Sequence, residues 1–213
     1  MRRRTAVLLS GRGSNFAALA AAAADPAFPA RIVLALSNVP DAPGLALARA
    51  AGVPAQAIDH RPFGRDRAAH ERALRAVLAA AEVELVCLAG YMRRLTPLLV
   101  GAFAGRMLNV HPSLLPAFAG LDTHARALAA GVKLHGCTVH LVTEALDDGP
   151  ILAQAAVPVL PGDSAAALAA RVLAQEHRLY PAALAQLAGG LAGEAPAADA
   201  ALCNPLPPAA AVP

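Results

Sequence analysis

Tryptophan is absent from this 213-residue chain, and the only aromatics are five phenylalanines and two tyrosines. So few rings cannot build a base-stacking platform, which argues against a nucleic-acid binder. Cysteine is also scarce. Cys87, Cys137 and Cys203 are odd in number, widely spaced and form no CxxC. That pattern speaks against a disulfide framework and fits a reducing, cytoplasmic setting. No stretch of about twenty apolar residues runs free of charges and turn formers, so no membrane span is expected. The opening "MRRRTAVLLSGRGSN" starts like a secretion signal, but its apolar segment ends after about five residues, too short for a signal core. Charge is sparse as well. Charged residues make up 15 % of the chain, the net charge is +3, and much of the excess comes from arginines at 2–4. Such mild basicity suits a small anionic substrate better than a polyanion.

What the chain has in quantity is apolar residues, 57 % of the total. Many are alanine, so Leu, Val and Ile must supply the core. Short β-branched runs alternate with Ala/Leu helical stretches. Strands are expected at 5–10, 30–37, 85–90 and 107–112, with a further one around Pro54–Asp59. Helices are expected from "GRGSN" to about Asp25, over 43–52, and over 65–81, where apolar residues recur at i, i+3 and i+4. The alternation predicts an α/β, Rossmann-like fold, a mostly parallel sheet with helices on both faces. After residue 120, "HGCTVHLVT" and "ILAQAAVPV" read as an antiparallel strand pair in the C-terminal half, joined by the turn-rich "EALDDGP". Residues from 164 read as one long helix or two, with Pro181 as the break. A single domain is expected over 1–188, followed by a loosely ordered Ala/Pro-rich tail, 189–213.

Four stretches carry polar chemistry. "LLSGRGSNF" puts glycines, Ser14 and Asn15 between a strand and a helix N-terminus, a place for an anion. It lacks the third glycine of a dinucleotide fingerprint and the Gly-Lys-Ser/Thr of a P-loop, so a phosphate monoester is the better match. An ordinary turn capped by Ser14 is the plainer alternative. "MLNVHPSLLP" aims Asn109 and His111 at one face of a strand near its carboxyl end, where open sheets place ligands. An amide there can hold an oxyanion and an imidazole can pass a proton, although a lone histidine is more often structural. "TEALDDGPI" offers Asp147 and Asp148, either as a charge partner for His111 or as ordinary turn residues. "AGYMRRL" sets Met92, Arg93 and Arg94 at another strand end, as pocket lining or as a solvated loop. His135, Cys137 and His140 invite a zinc reading, but strand alternation sends His140 to the opposite face and no second ligand pair follows. No metal is expected.

Read in order, "SGRGSNF", "LAGYMRRLTP", "LNVHPSLLPAF", "GLDTHARAL", "HGCTVHLVTEALDDGPILAQ" and "QEHRLYP" resemble the phosphoribosylglycinamide formyltransferase family over about residues 5–185. The Asn-x-His-Pro-Ser-Leu-Leu-Pro core is shared by the wider formyltransferase superfamily. The resemblance implies transfer of a formyl group from 10-formyltetrahydrofolate, as co-substrate, to the amine of glycinamide ribonucleotide, in purine biosynthesis. It implies that Asn109 holds the oxyanion, that His111 supplies the proton and that Asp147 supports His111. It assigns Gly13, Ser14 and Asn15 to the phosphate and Glu176 to the glycinamide end. Arg67, Met92, Arg93, Arg94, Leu95, Asn109, Thr143, Glu144, Ala145, Leu146 and Asp147 would contact the folate. The phosphate site would then fall in the half spanning about 1–100, and folate binding and catalysis in 101–188. Small molecules are the expected partners, with no nucleic acid or membrane, and the chain would act as a monomer or homodimer. The rival readings are a formyltetrahydrofolate deformylase, another formyl-folate enzyme, or a non-catalytic phosphometabolite-binding module.

Overall fold

The computed structural model describes residues 1–189 and 203–204. The apolar runs become strands β1 (Arg3–Leu9), β2 (Ala30–Ser37), β3 (Ala55–Ala57), β4 (Leu85–Leu88), β5 (Met107–His111), β6 (Leu134–Leu141), β7 (Ile151–Pro158) and β8 (Cys203–Asn204). Between them lie helices α1 (Ser14–Ala23), α2 (Pro43–Ala50), α3 (Arg67–Ala80), α4 (Pro97–Ala102), α5 (Thr123–Ala129) and α6 (Ala165–Ala188). All eight strands join one sheet in the order β3-β2-β1-β4-β5-β6-β7-β8. The first five are parallel. β6 then runs antiparallel to both β5 and β7, so the expected antiparallel pair is part of a larger turn-about that starts at β5.

Alternation along β1 splits the core in two. Val7 and Leu9 pack with Phe16 and Leu19 of α1, Leu45 of α2 and Val172, Tyr180 and Leu184 of α6. Ala6 and Leu8 pack on the other face with Leu74 and Leu78 of α3 and Leu99 of α4. Helices thus cover both faces, as a buried parallel sheet requires.

Of the one long helix or two expected from residue 164, the structure has one. Pro181 does not break the last helix, which runs unbroken through it. Proline removes the bond to the carbonyl of His177 at a cost of about 3 kcal/mol, but Leu179, Tyr180, Ala183, Leu184 and Leu187 bury residues on both sides of it. The Tyr180 hydroxyl also donates to the carbonyls of Leu88 and Leu108, at 3.1 and 3.2 Å, and so fixes α6 to β4 and β5. The loose tail expected from 189 falls largely on 190–202 and 205–213, outside the described residues. Cys203 and Asn204 nonetheless pair with β7.

Candidate active site

The chain between β1 and α1 turns at Gly13, whose φ of 80° is left-handed. A Cβ there would stand 2.6 Å from the Cα of Gly44 in the first turn of α2, so both positions need glycine for close backbone approach. Ser14 does not act as the cap. Gly13 occupies that place and no side chain caps the helix, so the cap expected of Ser14 is absent. The Asn15 amide donates to Glu176 Oε2 at 2.6 Å across 161 residues, joining α1 to α6. Both side chains are buried, and Asn15 Oδ1 has no partner. Burial holds the Glu176 carboxyl above the usual carboxylate range, opposed by the Asn15 hydrogen bond and by the charge of nearby His111.

Asn109 and His111 end β5 on one face, as alternation predicts. His111 Nε2 lies 3.1 Å from the carbonyl of Phe118, which can only accept, so Nε2 carries a hydrogen. Nδ1 lies 3.5 Å from Asp147 Oδ2, with both side chains 8 % exposed. Asp147 Oδ2 also accepts the Gly120 backbone N–H at 2.9 Å, so one carboxylate ties the β6–β7 connection to the loop after β5. Asp148 is exposed, and the contact to His111 is made by Asp147. Asp147 itself has a φ of 52°, and Phe118 and Asp122 are left-handed as well. Such strain persists only where the surroundings impose it, and it gathers at functional sites.

Thr138, opposite His111 on β6, anchors the segment that follows. Its hydroxyl donates to Ser113 O (2.7 Å) and accepts from Leu115 N (3.0 Å) and Gln154 Nε2 (3.0 Å). Gly149 closes the connection before β7. A Cβ there would lie 1.7 Å from the carbonyl oxygen of Leu141, so Asp148-Gly149 tolerates a side chain at its first position only.

Apart from Arg67 on α3 and Asn109 on β5, the residues expected to contact a folate fall in two loops that rest on one core cluster, through Leu95 and Val142. Met92 and Leu146 are 72 % and 57 % exposed. Glu144 and Ala145 are exposed beside Leu146, and the Thr143 hydroxyl donates to Ala145 O at 3.3 Å. Arg93 is half-buried and Arg94 exposed. Arg67, the first residue of α3, reaches the carbonyl of Arg94 at 3.5 Å and so touches the same loop.

Two supports were not singled out in the sequence, and a third, His140, was weighed there only as a zinc ligand. The Ser10 hydroxyl accepts from Met92 N at 2.8 Å and donates to Asn38 Oδ1 at 2.5 Å. Glu71, buried, takes Thr96 N at 2.7 Å and Thr96 Oγ1 at 2.5 Å, fixing the far end of the Met92 loop. His140, opposite Asn109, lies 3.2 Å from its amide nitrogen. Each depends on strand order and tertiary packing, which leave no local signal. No group of three His, Cys, Asp or Glu able to hold a metal occurs among the described residues. His135 instead packs against His124 at 3.2 Å and edge-on to Phe118.

A mostly parallel α/β sheet with an amide, an imidazole and a carboxylate meeting at the end of a central strand is the arrangement of an enzyme able to hold an oxyanion and pass a proton. The chain belongs to the formyl transferase family, whose model matches residues 3–184. It is 43 % identical over 184 residues to the phosphoribosylglycinamide formyltransferase of Escherichia coli, covering 86 % of each chain. It is 47 % identical over 193 residues to the trifunctional purine biosynthetic protein adenosine-3 of Drosophila melanogaster, covering 90 % of this chain but only 14 % of that protein's length. A crystal structure of phosphoribosylglycinamide formyltransferase from Brucella melitensis superposes with a TM-score of 0.85 at 55 % identity, over 89 % of this chain and 97 % of the other.

Proposed function

We propose that this chain transfers the formyl group of 10-formyltetrahydrofolate to the amine of phosphoribosylglycinamide. The observation that carries the reading is the meeting of Asn109, His111 and Asp147 at the end of β5. The amine attacks the formyl carbon, and the C=O electron pair moves onto oxygen. One N–H of Asn109 receives that oxyanion, a contact whose removal typically costs about 10²–10³ in rate. Collapse expels the folate nitrogen, which must gain a proton to leave, while the new amide nitrogen sheds one. His111, as the imidazolium that Asp147 faces, gives that proton from Nδ1, the ring nitrogen not committed to a carbonyl, and takes up the one shed by the amine, so no proton is left over.

Gly13, Ser14 and Asn15 hold the phosphate end at the uncapped start of α1, with Glu176 on the glycinamide side. A hydroxyl or amine of the ribonucleotide would satisfy Asn15 Oδ1, which is otherwise without a donor. The ribonucleotide side is therefore built from both halves of the chain. Arg67, Met92–Leu95 and Thr143–Asp147 receive the folate, the exposed Met92 and Leu146 flanking its ring. No metal enters the proposed reaction.

Purified protein is mixed with a 10-formyl folate and glycinamide ribonucleotide, each also omitted in turn, and loss of the formyl folate is followed by absorbance. Consumption that requires both substrates and scales with enzyme is the expected result. Consumption without the ribonucleotide would make the chain a deformylase, and no reaction would leave only phosphometabolite binding.

A further inference from the structure

We infer that His140 is a positioning residue for the transfer, a neutral ring that fixes which way round the Asn109 amide sits. The inference rests on the role proposed above for Asn109. Asn109 and His140 are direct partners across β5 and β6, so their side chains share a face. His140 Nδ1 lies 3.0 Å from the carbonyl of Leu141. A carbonyl only accepts, so Nδ1 carries the hydrogen. In a neutral ring, Nε2 is then a lone pair, and it faces Asn109 Nδ2 at 3.2 Å. The reverse amide orientation would set Asn109 Oδ1 against that lone pair, acceptor against acceptor. The tautomer of His140 therefore decides the orientation of Asn109. It engages one amide hydrogen and leaves the second for an oxyanion.

The ring is suited to stay neutral. It is 3 % exposed, and burial holds its pKa below the ordinary histidine value, although the Leu141 carbonyl and Asp147 act the other way. The charged or titratable groups facing it are His111 from β5 and Asp147 from the β6–β7 connection, the latter with Oδ1 4.0 Å from His140 Nε2. A proton on Nε2 would oppose the Asn109 N–H and draw Asp147 away from His111. One ring thus protects both contacts that the chemistry uses.

The test is a double-mutant cycle with steady-state kinetics for both substrates and the melting temperature of each variant. His140→Leu should lower kcat about 10–100-fold with both KM values within about threefold, because the lost interaction acts in the transition state. His140→Gln, which keeps an acceptor, should recover about tenfold of that loss. In an Asn109→Ala background, His140→Leu should cost less than about twofold, since its target is already gone. If the Leu variant folds poorly, His140→Met serves the same cycle. Equal cost in both backgrounds, an unchanged kcat, or a Gln variant no better than Leu would each overturn the inference. Wild-type turnover measured alongside separates this from the proposed function. An inactive wild type defeats the latter, whereas an active wild type with an undiminished His140→Leu defeats only the former.

Discussion

Asp147 adopts a left-handed backbone conformation, holds a loop N–H and faces an imidazole, three tasks for one short side chain. Asp147→Asn keeps an acceptor for Gly120 but loses the charge beside His111. Its kcat should fall about 10²-fold, with little change in melting temperature, while Asp148→Ala stays near full activity. Equal losses in the two variants would mean that the wrong carboxylate has been assigned. His111→Ala should abolish turnover while the ribonucleotide still binds by calorimetry, since the proposed phosphate site at the Gly13–Asn15 turn does not include His111. Loss of both together would count against a purely catalytic role. Asn109 and His111 stood out because their chemistry and spacing lie within one short stretch, whereas the residues alone left Asp147 and Asp148 open and the family resemblance chose Asp147. The role of His140 was not legible. Alternation correctly placed it opposite His135 and Cys137, but its partner stands on another strand, and no local pattern says that β5 and β6 pair.

At the level of elements, the sequence marks strand positions well because apolar, β-branched runs bounded by turn formers have few other uses. β2 falls on Ala30–Ser37, the span expected, and β5 differs from expectation by one residue at its end. Between one long helix and two, the sequence leaned on Pro181 as a break. The structure keeps one helix because proline's cost is local, while the burial of α6 that outweighs it involves elements far along the chain. Glycine positions are a second case. Asp-Asp-Gly-Pro reads as a turn in any context, but only the folded connection places Gly149 against the carbonyl of Leu141. Gly149→Ala should therefore cost about 1–3 kcal/mol or more of stability by denaturant titration, and lower activity by shifting Asp147. An alanine variant as stable as wild type would show that the connection can relax.

For the whole molecule, histidine burial sets the acid limit. His70, His124, His135, His140 and His177 all bind protons less readily in the fold than in water, chiefly because of burial, and His135 is brought down to about 4. The unfolded chain takes up those protons near pH 6.5, so stability is full above that value and declines as pH falls toward 4. Asp59 and Asp163, held at about 2 by Arg61 and Arg171, add their loss only at lower pH. The melting temperature should fall between pH 6.5 and 4, and His135→Asn should flatten part of that fall. A flat profile across the window would show that these rings are not the limit. The contact between Asn15 and Glu176 has a further consequence during synthesis. A ribosome releases the Gly13–Asn15 turn before Asn109 and His111, these before Asp147, and Glu176 after all of them. On the proposed roles, a nascent chain would carry most of its reactive groups before it could use them, and competence would wait until α6 docks across α1 and the sheet.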